Sequence, residues 1–180
     1  MIPSRQQALD LISSYSTGSN LRKHMLSVEA CLKAYAKKLN QPENLWTITG
    51  LIHDFDYEKY PDTHPATGLK ILQDQGASDE IIAAIAGHVK TGRRESLLAK
   101  ALYAVDELSG FIIACALMRP EKLDGMTAKS VKKKLKDKSF AAAVDREEIV
   151  KSAVDLGVDL DDHITLCVQA LQGIQEELGL

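Results

Sequence analysis

Leu21, Met25, Val28, Leu32, Tyr35 and Leu39 step along the chain by fours and threes. That spacing lays one apolar stripe on an α-helix, because side chains at i, i+3 and i+4 share a face. The pattern repeats nearly end to end. Leu45, Ile48, Ile52 and Phe55 form a second stripe, Leu69 and Leu72 a short third, and Ile81, Ile82, Ile85 and Val89 a fourth. Leu98, Leu102, Val105 and Ile112 mark a long fifth helix, Ile149, Ala153 and Val154 a sixth, and Ile164, Val168, Leu171, Ile174 and Leu178 a C-terminal amphipathic helix. Boundary residues agree with this reading. Ser4 with Gln7 reads as a capping box, Ser78 and Asp159 as N-caps, and Gly76 and Gly157 as C-terminal glycines. No alternating run suggests a strand, and no repeat or low-complexity linker divides the chain. The expectation is one all-α domain of about seven to nine helices.

A chain of 180 residues, 45% hydrophobic and 26% charged, is long enough to bury a real core in one domain. Its net charge of −3 argues against general nucleic-acid binding and against a basic membrane-surface protein. A small anionic ligand stays open, since a local metal outweighs global charge. Cys31, Cys115 and Cys167 are odd in number and widely spaced, which fits a reducing compartment. The stretch from Met1 to Gln7 lacks the apolar core of a signal peptide. The most apolar segment, Leu97 to Met118, is interrupted by Lys100, Asp106 and Glu107, which defeats a transmembrane reading. A cytoplasmic protein is expected.

Several polar residues do not suit an apolar core. His24 lies inside the first stripe, only about 40° around the helix from Val28. Asp106 shares a face with Ala99, Leu102, Gly110 and Ile113, where a carboxylate is costly unless it is paired or binds a metal. His53 and Asp54 follow Leu51 and Ile52 directly and offer a neutral nitrogen and an anionic oxygen at one point, a mixture that Zn, Mn and Fe accept. His64 precedes Pro65 at a helix start, and His88 lies on the inner side of its helix near Ile81 and Ile85. Each histidine alone is compatible with a structural role. Four of the five, all but His163, fall at helix positions in the first half of the chain that could converge with the two aspartates.

The order His24, then His53-Asp54, then Asp106 resembles the defining H…HD…D pattern of the HD superfamily. The segment Tyr60-Pro61-Asp62-Thr63-His64-Pro65-Ala66-Thr67-Gly68 resembles the His-Pro element of subfamilies with extra histidines, and Ala86-Gly87-His88 the next one. The resemblance covers roughly residues 20–115. It implies an HD-domain helical bundle with additional C-terminal helices: a core of about residues 20–118 and an appendage of about 120–180 within a single domain over 1–180. It also implies a metal-dependent phosphohydrolase, either phosphatase or phosphodiesterase, acting on a small phosphate ester, often a nucleotide. Carried over by position, His24, His53, Asp54 and Asp106 would hold a first metal. His64 and His88 would complete a second site, with Asp54 bridging. The cofactor is then one or two divalent ions, with Mn, Fe, Zn, Mg, Co and Ni not distinguished.

Departures from better-known branches narrow the substrate. The doublet continues as Phe55-Asp56-Tyr57-Glu58, without the Ile-Gly-Lys of many members. Gly87-His88-Val89 replaces the double histidine of cyclic-dinucleotide phosphodiesterases, and the Glu-Asp pair of alarmone hydrolases is not matched cleanly.

A divalent metal in such a site brings the pKa of water towards neutrality and screens phosphoryl oxygens. Catalytic roles are expected for Asp54, for Asp56 as a group that orients water or moves a proton, and for His64; Glu58 is the alternative to Asp56. Lys90, Arg93 and Arg94 follow His88 and are the expected phosphate-binding cations. The run Lys129 to Lys138 is either a solvated helix face or an anion lid or docking surface. A small phosphorylated substrate is the expected partner, with a homodimer through the C-terminal helix as a further option. The alternative function is a non-catalytic metal-binding regulatory or interaction module on the same fold.

Overall fold

A computed structural model describes residues 1–180 as ten helices without a strand. The first half contains α1 (Arg5–Tyr15), α2 (Ser19–Lys38), α3 (Glu43–Ile52), α4 (Ala66–Asp74) and α5 (Asp79–Gly87). The long α6 (Leu97–Leu117) follows, then α7 (Ala128–Leu135), α8 (Arg146–Leu156), α9 (Leu160–Gln172) and α10 (Gln175–Leu178). The Ser4–Gln7 capping box forms, and Asp159 accepts from the backbone N–H groups of Asp161 and Asp162. Gly76 and Gly157 take positive φ at the helix ends where the sequence places them.

The α2 stripe is the centre of the core. Met25, Val28, Leu32 and Tyr35 are completely buried. They pack where α2 meets α3, α6 and α9. Each such aliphatic side chain contributes about 1.5–3 kcal/mol by leaving water, so Leu32→Ala is expected to cost about 2–5 kcal/mol. α6 is apolar nearly all round, and 12 of its 21 residues are buried. It packs against α2, α5, α8 and α9. No helix is long and apolar enough to cross a membrane.

The helix count exceeds the expected seven to nine for two local reasons. α7 buries only Val131, so its lysine-rich sequence carries no apolar stripe to read. The expected single C-terminal helix is broken at Gly173–Ile174, where glycine lowers helix propensity and Ile174 leaves the helical region at φ −128°. α10 nevertheless keeps Leu178 on the buried side.

His163 on α9 is part of this core rather than of any site. Its Nδ1 accepts from the Tyr35 hydroxyl at 2.5 Å, and its Nε2–H donates to the Ala104 carbonyl at 3.0 Å. Burial pushes its pKa down to about 4. As pH falls below the unfolded value of about 6.5, the unfolded chain takes up a proton that the folded chain refuses, so stability is lost progressively down to about pH 4. At about 1.4 kcal/mol per pH unit, the loss approaches about 3 kcal/mol. Urea titrations of chelator-treated wild type and His163→Gln at pH 7 and pH 4.5 check this. The stability difference between the two proteins should shrink on acidification, and an unchanged difference would contradict the assignment.

Candidate metal centre

Five helices deliver six ligand-type side chains to one place. His24 and Asp106 project from the interiors of α2 and α6, while the others come from helix ends. α3 stops at Ile52, His53 occupies its C-cap, and the chain turns through Asp54 to Tyr57. Adjacent residues inside a helix point about 100° apart. Leaving the helix here lets His53 and Asp54 both face inward. His88 caps α5 in the same way. His64 precedes Pro65, across a cis peptide bond, at the start of α4.

The six groups sort into two sets, His24, His53 and Asp106 in one and Asp54, His64 and His88 in the other. In the first set His24 Nε2 stands 3.0 Å from Asp106 Oδ1, and His53 Nε2 stands 3.6 Å from the same oxygen. In the second, His64 Nε2 and His88 Nε2 each lie 3.2 Å from Asp54 Oδ1. The other oxygen of Asp54, Oδ2, turns to the first set, 3.6 Å from His24 Nε2 and 3.4 Å from His53 Nε2. One carboxylate therefore serves both sets, one oxygen to each.

The hydrogen bonds behind the rings fix which nitrogen faces the centre. His53 Nδ1–H donates to the Gly50 carbonyl at 2.8 Å, and His88 Nδ1–H to the Ile85 carbonyl at 2.5 Å. His64 Nδ1–H donates to Asp56 Oδ1 at 2.7 Å. With Nδ1 protonated, each Nε2 of the neutral ring directs a lone pair inward. His53 Nε2 is buried with no hydrogen-bond partner. His64 and His88 bring their Nε2 atoms to 3.1 Å, beside a carboxylate oxygen that also only accepts. Such a concentration of acceptors is satisfied by a cation or by added protons. Separations of 3.0–3.6 Å also suit donors sharing one ion at metal–ligand distances of about 2.0–2.2 Å. The residues present fit a divalent metal.

The electrostatics agree. Burial opposes ionisation of Asp54, but His53, His64 and His88 outweigh it and hold the carboxylate well below its usual range. Asp106 is held low against burial in the same way by His24 and His53. Burial opposes a proton on His53, yet Asp54 and Asp106 together raise its pKa. His64 rises to about 9 because Asp54 and Asp56 outweigh its burial. Without a metal, protons gather where a metal would sit, so metal binding and proton release are linked.

Asp56 stands elsewhere than the water-orienting position expected of it. It is 1% exposed and lies behind His64, with its second oxygen accepting from the Gly68 N–H at 2.7 Å. A Cβ on residue 68 would come within 2.6 Å of the Asp56 carboxyl, so only glycine admits this approach. Asp56→Ala is expected to leave His64 unsupported and weaken metal affinity by about 10–100-fold. Competition with a chromogenic chelator measures it; an affinity within twofold of wild type would contradict the role. Glu58 faces away from the centre and accepts from Ser16 Oγ, Thr17 and the Gly18 N–H at the α1–α2 turn.

The centre opens into a cavity of about 480 Å³. Of the three expected phosphate-binding cations, Lys90 lines it, held 2.8 Å from Asp145 and 3.8 Å from Glu148. Arg94 instead donates to the Gly87 and Val89 carbonyls and stacks 3.8 Å above the Tyr103 ring. Arg93 is exposed to solvent and does not line the cavity. The basic run on α7 lies elsewhere, with Lys132 paired to Asp161 and Lys134 over Phe140. Tyr103, Glu107 and Glu148 also line the cavity, and no motif marks them as site residues. Tyr103 precedes Asp106 by one turn of α6 and Glu107 follows it directly, and that proximity in sequence was the available signal. Glu148 comes from α8, carries no such signal, and accepts from the Tyr103 hydroxyl. Burial, reinforced by Asp106 and Glu148, raises the Glu107 pKa.

Residues 21–110, which contain all six clustered side chains, match the HD domain family model. The chain belongs to the HD domain family. It is 33% identical over 93 residues to a tRNA (cytidine(56)-2'-O)-methyltransferase of Thermoplasma volcanium and 33% identical over 99 residues to Ribonuclease Y 2 of Levilactobacillus brevis. These matches take in 51% and 53% of this chain but only 28% and 18% of the two relatives. No solved structure gives a significant match. Val144 and Glu148 lie outside the matched HD segment, so part of the cavity wall is supplied by the chain at the start of α8.

Proposed function

We propose that this HD domain is a metal-dependent phosphohydrolase acting on a small phosphate ester, with nucleotides the favoured class. The observation that carries the reading is Asp54, whose two oxygens face two separate histidine-rich sets across one centre. His24, His53 and Asp106 would hold one ion, and His64 and His88 a second, with Asp54 common to both. Bound there, a divalent metal supplies Lewis acidity, which makes water nucleophilic near neutral pH and neutralises phosphoryl charge.

The chain's own residues do the rest. Gly50, Ile85 and Asp56 fix the ring tautomers so that the ligands are preorganised. Lys90, the cation in the cavity wall, orients the ester's anionic oxygen, and its pairing with Asp145 and Glu148 sets its position. The surrounding Glu107 and Glu148 disfavour a second phosphate group, which favours a substrate with a single phosphate. The name of the ribonuclease relative, an activity on phosphate diesters, supports the same class of chemistry. A cytoplasmic setting, read from three free and buried cysteines, belongs to this proposal.

A second reading rests on the methyltransferase relative, whose name places a similar segment in a protein with another activity. In that reading the domain binds metal and regulates. Elemental analysis of protein purified without added metal, followed by a panel of nucleoside monophosphates and diphosphates, cyclic nucleotides and sugar phosphates, separates the two. Metal-dependent turnover that chelation removes supports the hydrolase. Bound metal without turnover under any divalent ion favours the regulatory module.

A further inference from the structure

Gly110 occupies the interior of α6, where glycine is unfavourable because it loses more backbone freedom than alanine on folding. Tight packing explains several other glycines. An added Cβ would meet atoms at 3.0 Å at Gly50, 2.6 Å at Gly68 and 2.7 Å at Gly87. At Gly110 it would meet nothing within 4 Å. The absent side chain therefore leaves open space rather than admitting a neighbour.

That space joins two cavities. His24 and Gly110 line both the cavity at the metal centre and a second one of about 390 Å³. On α6, Tyr103, Asp106, Glu107 and Gly110 border the first cavity, and Gly110, Ile113, Ala114 and Leu117 the second, which Asn20, Lys23 and Ser27 of α2 also line. The spacing sets the α6 residues on one face of that helix, along about 20 Å of its length. The character changes along it, from acidic and hydroxyl-bearing at Tyr103 and Glu107 to apolar at Ile113 and Leu117. Leu117 is 58% exposed, so water is left in contact with apolar surface there.

We infer that Gly110 is the floor of a substrate groove along α6, and that the second cavity takes the organic group of the phosphate ester, apolar where it faces Ile113 and Leu117. The inference rests on the phosphohydrolase reading, which puts the phosphate at the metal centre. The ester's organic group passes over Gly110 and lies against Ile113 and Leu117. A side chain at position 110 narrows the passage, into which a Cβ extends without a clash.

The test is calorimetric binding of two non-hydrolysable probes, methylphosphonate and 4-phenylbutylphosphonate, to the metal-loaded full chain. Wild type is expected to bind the phenylbutyl probe at least tenfold more tightly. Gly110→Leu should abolish that preference. Leu117→Asp, on an exposed position, should reduce the preference without any burden on folding, and Gly110→Ala should melt no lower than wild type. Equal affinity of wild type for the two probes overturns the inference, as does a preference that survives both Gly110→Leu and Leu117→Asp. Binding of neither probe to metal-loaded wild type overturns the phosphohydrolase reading and the groove with it. Methylphosphonate binding without a phenylbutyl preference overturns the groove alone.

Discussion

Asp54→Ala is expected to empty the whole centre and take metal-dependent turnover to background. Asp54 faces both ligand sets, with Oδ1 3.2 Å from His64 and His88 and Oδ2 3.4 Å from His53. Removing it leaves each set with uncharged histidine donors and, in one of them, no carboxylate at all. A metal that binds only the folded state at 100 times its Kd stabilises the fold by about 2.7 kcal/mol. For a chain of this size that corresponds to about 5–10 °C in Tm. The measurement is elemental analysis together with thermal melts with and without chelator. Wild type with chelator should melt close to the variant, since both lack the ion. Full metal occupancy in Asp54→Ala would remove the centre from this position.

Substitutions on either side of Asp54 are expected to divide the centre. His64→Ala and His88→Ala should each remove about one metal equivalent and spare the other. Asp106→Asn should impair the opposite half, because an amide is neutral and a poorer ligand for a hard cation. The stoichiometry of wild type decides how these results are read. Two equivalents in wild type falling to one in each variant establishes a binuclear centre. A single equivalent in wild type, kept in His64→Ala and His88→Ala, assigns those two histidines to substrate instead. Turnover that survives both Asp106→Asn and chelation would place the chemistry outside this centre.

The helical architecture was legible because most helices bury one face, and burial forces a period near 3.6 on the apolar residues. Where a helix buries little, as α7 does with Val131 alone, that signal vanishes. The candidate ligands stood out because a histidine or aspartate on an apolar stripe violates the burial pattern, as His24 and Asp106 do. Side chains that support the ligands were less legible. Asp56 reads as one acid in the run Asp54-Phe55-Asp56-Tyr57-Glu58, and nothing local reveals that it is buried against His64 and Gly68. Basic residues next to a ligand in sequence also misled in part. The turn after His88 sends Arg94 back onto backbone carbonyls and Tyr103, and leaves only Lys90 of the three in the cavity wall. Glu148 reaches the cavity from α8, 60 residues beyond His88 by their numbering, a proximity set by tertiary packing alone.

The contact between His88 and Asp54 joins residues 34 apart in the chain. The segment between them holds two short helices: α5 packs on α6, whereas α4 buries only Gly68 and Leu72. An ion shared by these ligands would act on it as a cross-link acts, closing a loop whose α4 portion the rest of the fold restrains least. Chelation should therefore loosen the chain unevenly. Amide protons between Tyr57 and Gln75 would exchange by local opening, while those of α2 and the middle of α6 would still wait for global unfolding. In that sense the ion is a removable fastener for one lobe of the molecule, and its occupancy would be readable from the exchange rates of backbone amides that never touch it.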